Sequence, residues 1–187
     1  MEGKLPLLRR SLERSLVVKR GEYNYLINPL TDTIPPLEPA LLREVADAVA
    51  SAADCDVDVI VTMEAMGIHL AALLSQKTGK PFNIVRKRQY RLPGEVVLDQ
   101  STGYGKGSMY INGLMRGQRV LVVDSVLSTG GTLVAVLEGL KKAGVEVKDV
   151  VCVIEKGDGR RVVREKTGFD VKTLVKIDVS ADGVRVL

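Results

Sequence analysis

The stretch Val120-Leu121-Val122-Val123-Asp124-Ser125-Val126-Leu127-Ser128-Thr129-Gly130-Gly131-Thr132 constrains this chain more than any other. Its apolar opening predicts a strand buried on both faces, as in a parallel sheet. The strand delivers an acid, Asp124, at its carboxyl end. A turn of small hydroxyl and glycine residues follows, and then a helix over 132–143, ended by Gly144. Amides in the first turn of such a helix have no intrahelical acceptor, and the helix dipole adds positive potential there. That combination suits a phosphate. Glycine lets the backbone approach an anion closely, and Ser128, Thr129 and Thr132 add hydroxyl donors. A helix cap needs only one hydroxyl, so five small residues after an acid point to a ligand. The Asp124 carboxylate repels phosphate; its natural partners are hydroxyl donors such as those of a ribose.

Strand and helix patterns alternate around this motif. Leu5, Leu8, Leu12 and Leu16 have helical spacing and predict a helix over residues 4–20, stopped by Gly21. Tyr23 to Pro29 reads as extended, and Pro35, Pro36 and Pro39 mark a turn. Leu41 to Ala53 reads as a helix, Val57 to Met63 as a strand, 67–78 as a helix and Phe82 to Val85 as a short strand. Residues 88–108 read as a long loop or loose ribbon. Val147 to Ile154 and 173–178 complete the strands. The expected fold class is α/β, a mainly parallel central sheet flanked by helices. Ligands of such sheets bind at the carboxyl ends of strands, which directs attention to the residues after Met63, Val85, Val123 and Ile154.

The chain has 187 residues, enough for one domain with a real core. No apolar run reaches the ~18 to 20 residues that cross a bilayer, and no secretory signal is seen, so no membrane is expected. Cys55, Cys152 and the single His69 lack zinc-ligand spacing. Both cysteines read as small packed side chains in a reducing compartment, and His69 reads as a helix-surface or core residue. The net charge of +4 suits an anionic substrate. With 4% aromatics and dispersed cations, nucleic acid is not the expected partner. A Walker loop is absent, and Gly103-Tyr104-Gly105-Lys106-Gly107 lacks the spacing of a dinucleotide turn.

The motif at Val120 to Thr132 resembles the phosphoribosyltransferase signature, which is an apolar strand, two acids, two apolar residues and a Ser/Thr-Gly-rich turn. Glu64-Ala65-Met66-Gly67 sits where the type I members have their pyrophosphate loop. Arg86-Lys87-Arg88 with Leu92-Pro93-Gly94-Glu95 looks like the basic segment and flexible loop of the adenine enzymes. With Gly21 to Tyr25, Met63 to Gly67 and Ser101 to Lys106, the chain is most similar to the archaeal hypoxanthine/guanine phosphoribosyltransferases, from about Val17 to Val179. The resemblance implies the type I phosphoribosyltransferase fold in a single domain. Residues 1–40 would form part of a small hood, 41–187 the core, and about 88–110 the flexible loop.

It also implies the reaction: transfer of ribose 5-phosphate from phosphoribosyl pyrophosphate (PRPP) to hypoxanthine or guanine, in a cytoplasmic homodimer, with Mg2+ carried on PRPP rather than in a protein cage. In that reading Ser128, Thr129, Gly130, Gly131 and Thr132 hold the 5-phosphate, and Asp124 and Ser125 the ribose. Glu64, Ala65, Met66, Gly67, Arg86, Lys87 and Lys106 meet the pyrophosphate. Tyr25 either stacks on the base or packs under the N-terminal segment, and Tyr104 lies on the loop that closes over the site. Two positions depart from the pattern. The second acid is Ser125. The turn aspartate that handles the base N7 proton in bacterial and animal hypoxanthine/guanine enzymes is Ser128, and the loop glutamate of the adenine enzymes is Gly103. Glu95 and Asp99 are therefore the expected substitutes beside Asp124 in the chemistry. An adenine-specific enzyme and a PRPP-binding regulator without turnover are the alternatives.

Overall fold

The computed structural model describes residues 5–102 and 105–187. Helix α1 (Pro6–Glu13) leads into a hairpin of β1 (Leu16–Arg20) and β2 (Tyr23–Ile27), then the short helix α2 (Pro29–Asp32) and α3 (Pro39–Ala52). The central units follow as β3 (Val59–Met63), α4 (Ile68–Thr78) and β4 (Phe82–Val85). A second hairpin, β5 (Val96–Thr102) and β6 (Gly105–Ile111), precedes β7 (Arg119–Leu127), α5 (Gly131–Lys142) and β8 (Glu146–Lys156). The chain ends with α6 (Gly159–Thr167), β9 (Lys172–Ser180) and β10 (Gly183–Val186).

Six strands form one sheet in the order β10-β9-β8-β7-β3-β4. All pairs are parallel except β10 with β9. The central strands are β-branched and apolar because both faces are covered, and every residue of β3 is buried. Side chains of a strand alternate between faces. Ile60, Leu121 and Val123 thus join Leu8, Leu12, Val45 and Leu70 in one core layer. Val59, Val61, Val120 and Val122 join Leu133, Val136 and Leu137 of α5 in the other.

Three expectations change. The helix predicted over 4–20 stops at Glu13, and Leu16–Arg20 is a strand. Leu16 continues the helical spacing, but antiparallel pairing of Val17 with Leu26 and Val18 with Tyr25 wins, a tertiary override of a local pattern. Residues 96–111 form a hairpin whose base packs on α5, where a Cβ on Gly139 would meet Leu98 Cδ2 at 2.2 Å. The strand carrying the acid runs on to Leu127, so Asp124 lies inside it rather than at its end. Helices α2 and α6 and strand β10 are additions to the predicted set.

The N-terminal hairpin is anchored over the carboxyl edge of the sheet. Asn28, fully buried, donates from Nδ2 to Ser11 Oγ at 2.9 Å and to Ser15 Oγ at 2.8 Å. Its Oδ1 accepts from the Leu30 amide at 2.9 Å and so caps α2. One side chain thereby ties α1, the end of β2 and α2 together.

Candidate active site

The carboxyl ends of β3, β7 and β8 and the N-terminal hairpin enclose a cavity of about 650 Å³. A smaller one of about 460 Å³ adjoins it and shares Tyr23, Ser128, Thr129 and Lys156.

The turn after β7 forms one wall. Gly130 has φ 80°, in the left-handed region that glycine tolerates, and α5 begins at Gly131 with no side chain capping it. The start of α5 borders the cavity through Gly130, Thr132 and Leu133, which puts the positive end of the helix dipole at that wall. The turn lies backbone to backbone against the start of α6. A Cβ on Gly159 would come within 2.2 Å of the Ser128 carbonyl oxygen, and one on Gly130 within 2.7 Å of the Gly159 carbonyl oxygen. Gly159 is thus part of the site's construction, although it lies far from the signature in sequence.

Asp124 lines the cavity floor. Part of the residue meets the cavity, but its carboxyl lies deep enough that burial pushes the pKa up to about 7, against the lowering effect of the Ser125 amide, which donates to Oδ1 at 2.8 Å. The neighbouring Cys152 thiol, paired in register with Asp124, is pushed up by burial and by the Asp124 charge. The loop 64–67 closes in beside it. A Cβ on Gly67 would lie 3.2 Å from Asp124 Oδ1 and 2.0 Å from Thr62 Oγ1, so only glycine fits there. The Glu64–Ala65 peptide is cis.

Ser125 does not reach the cavity as a ribose ligand. It is fully buried, and its hydroxyl donates to the Met66 carbonyl at 2.7 Å. The hydroxyl is occupied in joining β7 to the 64–67 loop. Glu64 accepts from the Lys87 amide at 3.2 Å and pairs with Arg86 Nε at 3.4 Å. Arg86 is thereby partly neutralised and is not a cavity-lining residue, whereas Lys87 is exposed, lines the cavity and has no ion pair among the described residues.

Glu95 and Asp99, expected in the chemistry, do not line the cavity. Glu95 closes its own loop, accepting from the amides of Tyr90 at 2.9 Å and Arg91 at 3.2 Å and from Asn112 Nδ2 at 2.9 Å. Burial acts to raise its pKa, but these hydrogen bonds together hold it below the usual carboxylate range. Asp99 pairs with Ser108 in the hairpin. Tyr104 and the side chain of Lys106 lie outside the described residues.

The N-terminal hairpin supplies the roof. The Tyr25 hydroxyl donates to Asp32 Oδ1 at 2.9 Å, and the Arg20 guanidinium lies 4.5 Å from the Tyr25 ring centre. Tyr23 and Ser128 share a hydroxyl–hydroxyl bond of 2.9 Å, and the Lys156 ammonium lies 3.8 Å from the Tyr23 ring centre while donating to the Asn24 carbonyl. His69 also lines the cavity; burial pushes its pKa down, against the effect of a backbone hydrogen bond to Leu30. Arg20, Tyr23, Asp32, His69 and Lys156 were not singled out as ligands from sequence. Only Lys156 carried a usable signal, as a cation directly beyond the strand predicted to end at Ile154.

With this geometry in view, the sequence pattern of the phosphoribosyl transferase domain matches residues 37–187. The chain belongs to the phosphoribosyltransferase family. Its relatives include the hypoxanthine/guanine phosphoribosyltransferase of Methanocaldococcus infernus, 56% identical over 96% of this chain and 98% of that one. The corresponding protein of Methanothermobacter thermautotrophicus is also 56% identical, over 97% of this chain and 94% of that one. Among solved structures, the adenine phosphoribosyltransferase of Thermoanaerobacter pseudethanolicus superimposes with a TM-score of 0.74 at 26% identity, covering 91% of this chain and 98% of that one. The type I phosphoribosyltransferase fold is thus common to this chain and to the adenine enzymes, while its near sequence relatives carry the hypoxanthine/guanine name. Among the described residues no three potential ligands cluster to hold a metal ion, and no helix is long and apolar enough to cross a membrane.

Proposed function

We propose that this phosphoribosyltransferase transfers ribose 5-phosphate from magnesium-PRPP to hypoxanthine and guanine, giving the nucleotide and pyrophosphate. One observation carries the reading. Asp124 lies on the floor of a single cavity between the glycine-led start of α5 on one side and the 64–67 loop on the other. PRPP needs that order of partners: an anion site for its 5-phosphate, a carboxylate for its ribose hydroxyls, and a second anion site for its pyrophosphate.

In this reading Ser128 to Thr132 receive the 5-phosphate with backbone amides and hydroxyls. Asp124, ionised, accepts from the ribose hydroxyls. Backbone of Glu64 to Gly67 and the Lys87 ammonium meet the pyrophosphate, with Arg86 contributing at longer range. Magnesium enters on the pyrophosphate oxygens as part of the substrate and neutralises some of their charge. The bond from ribose C1 to pyrophosphate breaks as the base nitrogen closes on C1. Positive charge grows on the sugar and negative charge on the leaving group, so fixed geometry and a stabilised anion supply the rate.

The base lies under the N-terminal hairpin, beside Tyr23, Tyr25 and Lys156. An ammonium donates hydrogen bonds and accepts none. It complements the carbonyl at position 6 of hypoxanthine and guanine and opposes the amino group of adenine. By family likeness the enzyme works in the cytoplasm as a homodimer. Incubation with PRPP, magnesium and each purine, followed by nucleotide assay, tests the activity. Product with hypoxanthine and guanine is expected; no product with any purine refutes it. Light scattering of the purified protein tests the dimer.

A further inference from the structure

Two carboxylates hold the basic segment between β4 and β5, and both do so through backbone amides. Glu64 accepts from the Lys87 amide at 3.2 Å. Glu95 accepts from the Tyr90 amide at 2.9 Å, and both of its oxygens lie 3.2 Å from the Arg91 nitrogen. Glu95 reaches back over these residues by a turn. Its own amide donates to the Leu92 carbonyl at 3.0 Å, with Pro93 and Gly94, at φ 82°, between them. The same carboxylate accepts from Asn112 Nδ2 at 2.9 Å, directly after β6. Asn112 is fixed in turn, since its carbonyl accepts from Asn83 Nδ2 of β4 at 2.9 Å. At the other end of the segment, the Arg86 amide donates to the Tyr110 carbonyl at 3.0 Å, and the Tyr110 amide to the Arg86 carbonyl at 2.7 Å. Segment 86–91 is therefore tied to the hairpin at both ends. None of these bonds uses the charged group of Lys87, Arg88 or Arg91, and none of the three has an ion pair among the described residues.

We propose that Glu95 is a positioning residue for the pyrophosphate site, a latch that fixes segment 87–91 so that the Lys87 ammonium stays over the cavity. The inference rests on the transferase reading above, in which Lys87 meets pyrophosphate. Lys87 lines the cavity and Glu95 does not, so Glu95 acts through the loop and touches no reacting atom. An untethered loop would lose backbone freedom each time the substrate ordered it. A loop ordered on folding avoids that loss at binding, and a cation already in place needs no reorganisation as charge grows on the leaving group. Arg91 carries a sign of the constraint. It holds φ 57°, a left-handed conformation unfavourable for a side chain with a Cβ, and its amide is the one that both Glu95 oxygens approach. The latch also requires an acid. A carboxylate only accepts, and can serve several donors at once, whereas the amide of a glutamine would turn donors of its own toward Asn112 or the loop amides.

The test uses the full chain. KM for magnesium-PRPP and for hypoxanthine, and the inhibition constant of inorganic pyrophosphate, are measured for wild type, Glu95→Gln, Glu95→Ala, Asn112→Ala, Lys87→Ala and the Glu95→Ala, Lys87→Ala double variant. Glu95→Ala is expected to raise both the PRPP and the pyrophosphate constants about tenfold. KM for hypoxanthine should stay within about twofold. Glu95→Gln should shift the same two constants in the same direction. So should Asn112→Ala, which removes the anchor of the latch without changing charge. The double variant should be no worse than the more damaged single one, because Glu95 acts through Lys87. Losses that multiply in the double variant overturn the proposal. So does a rise in KM for hypoxanthine equal to that for PRPP, the mark of a merely destabilised fold. Unchanged constants in a Glu95 variant that circular dichroism shows to be folded also overturn it, and Glu95→Gln keeps the test open where Glu95→Ala does not fold. Calorimetric titration with magnesium-PRPP reads the same site without turnover. A wild type that binds PRPP but converts no purine sinks the transferase reading, whereas Glu95→Ala binding PRPP about tenfold more weakly would still support the latch. Indifference of PRPP binding to Lys87→Ala sinks the pyrophosphate role of Lys87 and the latch with it.

Discussion

Ser125 donates its hydroxyl to the carbonyl oxygen of Met66 across 2.7 Å, joining the strand that carries Asp124 to the loop expected to meet pyrophosphate. The bond is buried, with Ser125 wholly shielded from solvent. A residue that stands where the family signature has an acid therefore acts through the backbone of a neighbouring loop.

Ser125→Ala leaves that carbonyl without its partner. Stability should fall by about 1–3 kcal/mol, read by urea denaturation, and KM for PRPP should rise with it. A direct ribose contact would instead weaken PRPP without loss of stability. Ser125→Asp should be worse than Ser125→Ala at pH 8, since it sets a carboxylate against a carbonyl oxygen.

The pH dependence follows from Asp124. Its folded pKa of about 7 lies above the unfolded value near 3.8. Between those values the folded apo-protein holds a proton that the unfolded chain has released. The unfolded state is therefore increasingly favoured as pH rises from about 4 to 7, and the effect is complete above 7. Melting temperatures of wild type and Asp124→Asn, compared from pH 4 to 9, should diverge through this window in favour of Asn, then run parallel. PRPP binding should show the opposite trend. The ionised carboxylate accepts ribose hydroxyls, so affinity rises through pH 7 in wild type and does so less in Asp124→Asn, whose KM for PRPP is higher and turnover lower. Unchanged kinetics in that variant would contradict the ribose assignment.

Lys87 and Arg86 should separate. Arg86 is already paired with Glu64, and Lys87 faces the cavity. Lys87→Ala should raise KM for magnesium-PRPP by about tenfold and leave KM for the base nearly unchanged. Arg86→Ala should cost less on PRPP and loosen Glu64. An equal loss on both substrates for Lys87→Ala would argue against a pyrophosphate role.

Gly159→Ala tests the turn from behind. The new methyl would stand 2.2 Å from the Ser128 carbonyl oxygen, which must move. Overpacking of this kind costs about 1–3 kcal/mol, and displacement of the turn should raise KM for PRPP.

Much of this site could be read in the chain because its central motif is contiguous. Val120 to Thr132 encode strand, acid, turn and helix start in thirteen consecutive residues, and local propensity places each. The boundary at Leu16–Arg20 could not be read, since Leu16 fits helical spacing while the strand exists only through pairing with Tyr23–Ile27. Glu95 and Asp99 stand in the sequence as acids within the segment that resembles the family's loop. The positions of the Tyr90 and Arg91 amides and of Asn112, which occupy Glu95, depend on how the loop closes.

The sequence by itself determined the α/β alternation and the succession of strand, glycine-rich turn and helix around Asp124, since each is written in neighbouring residues whose periodicity and backbone freedom act locally. Only the tertiary structure decided that Ser125 serves the 64–67 loop, that Gly159 backs the turn, and that Tyr23 meets Ser128 and Lys156. Those contacts join residues from 29 to 133 positions apart. They arise from the order of strands in the sheet and from the hairpin laid over its edge, and no local rule of propensity reaches so far.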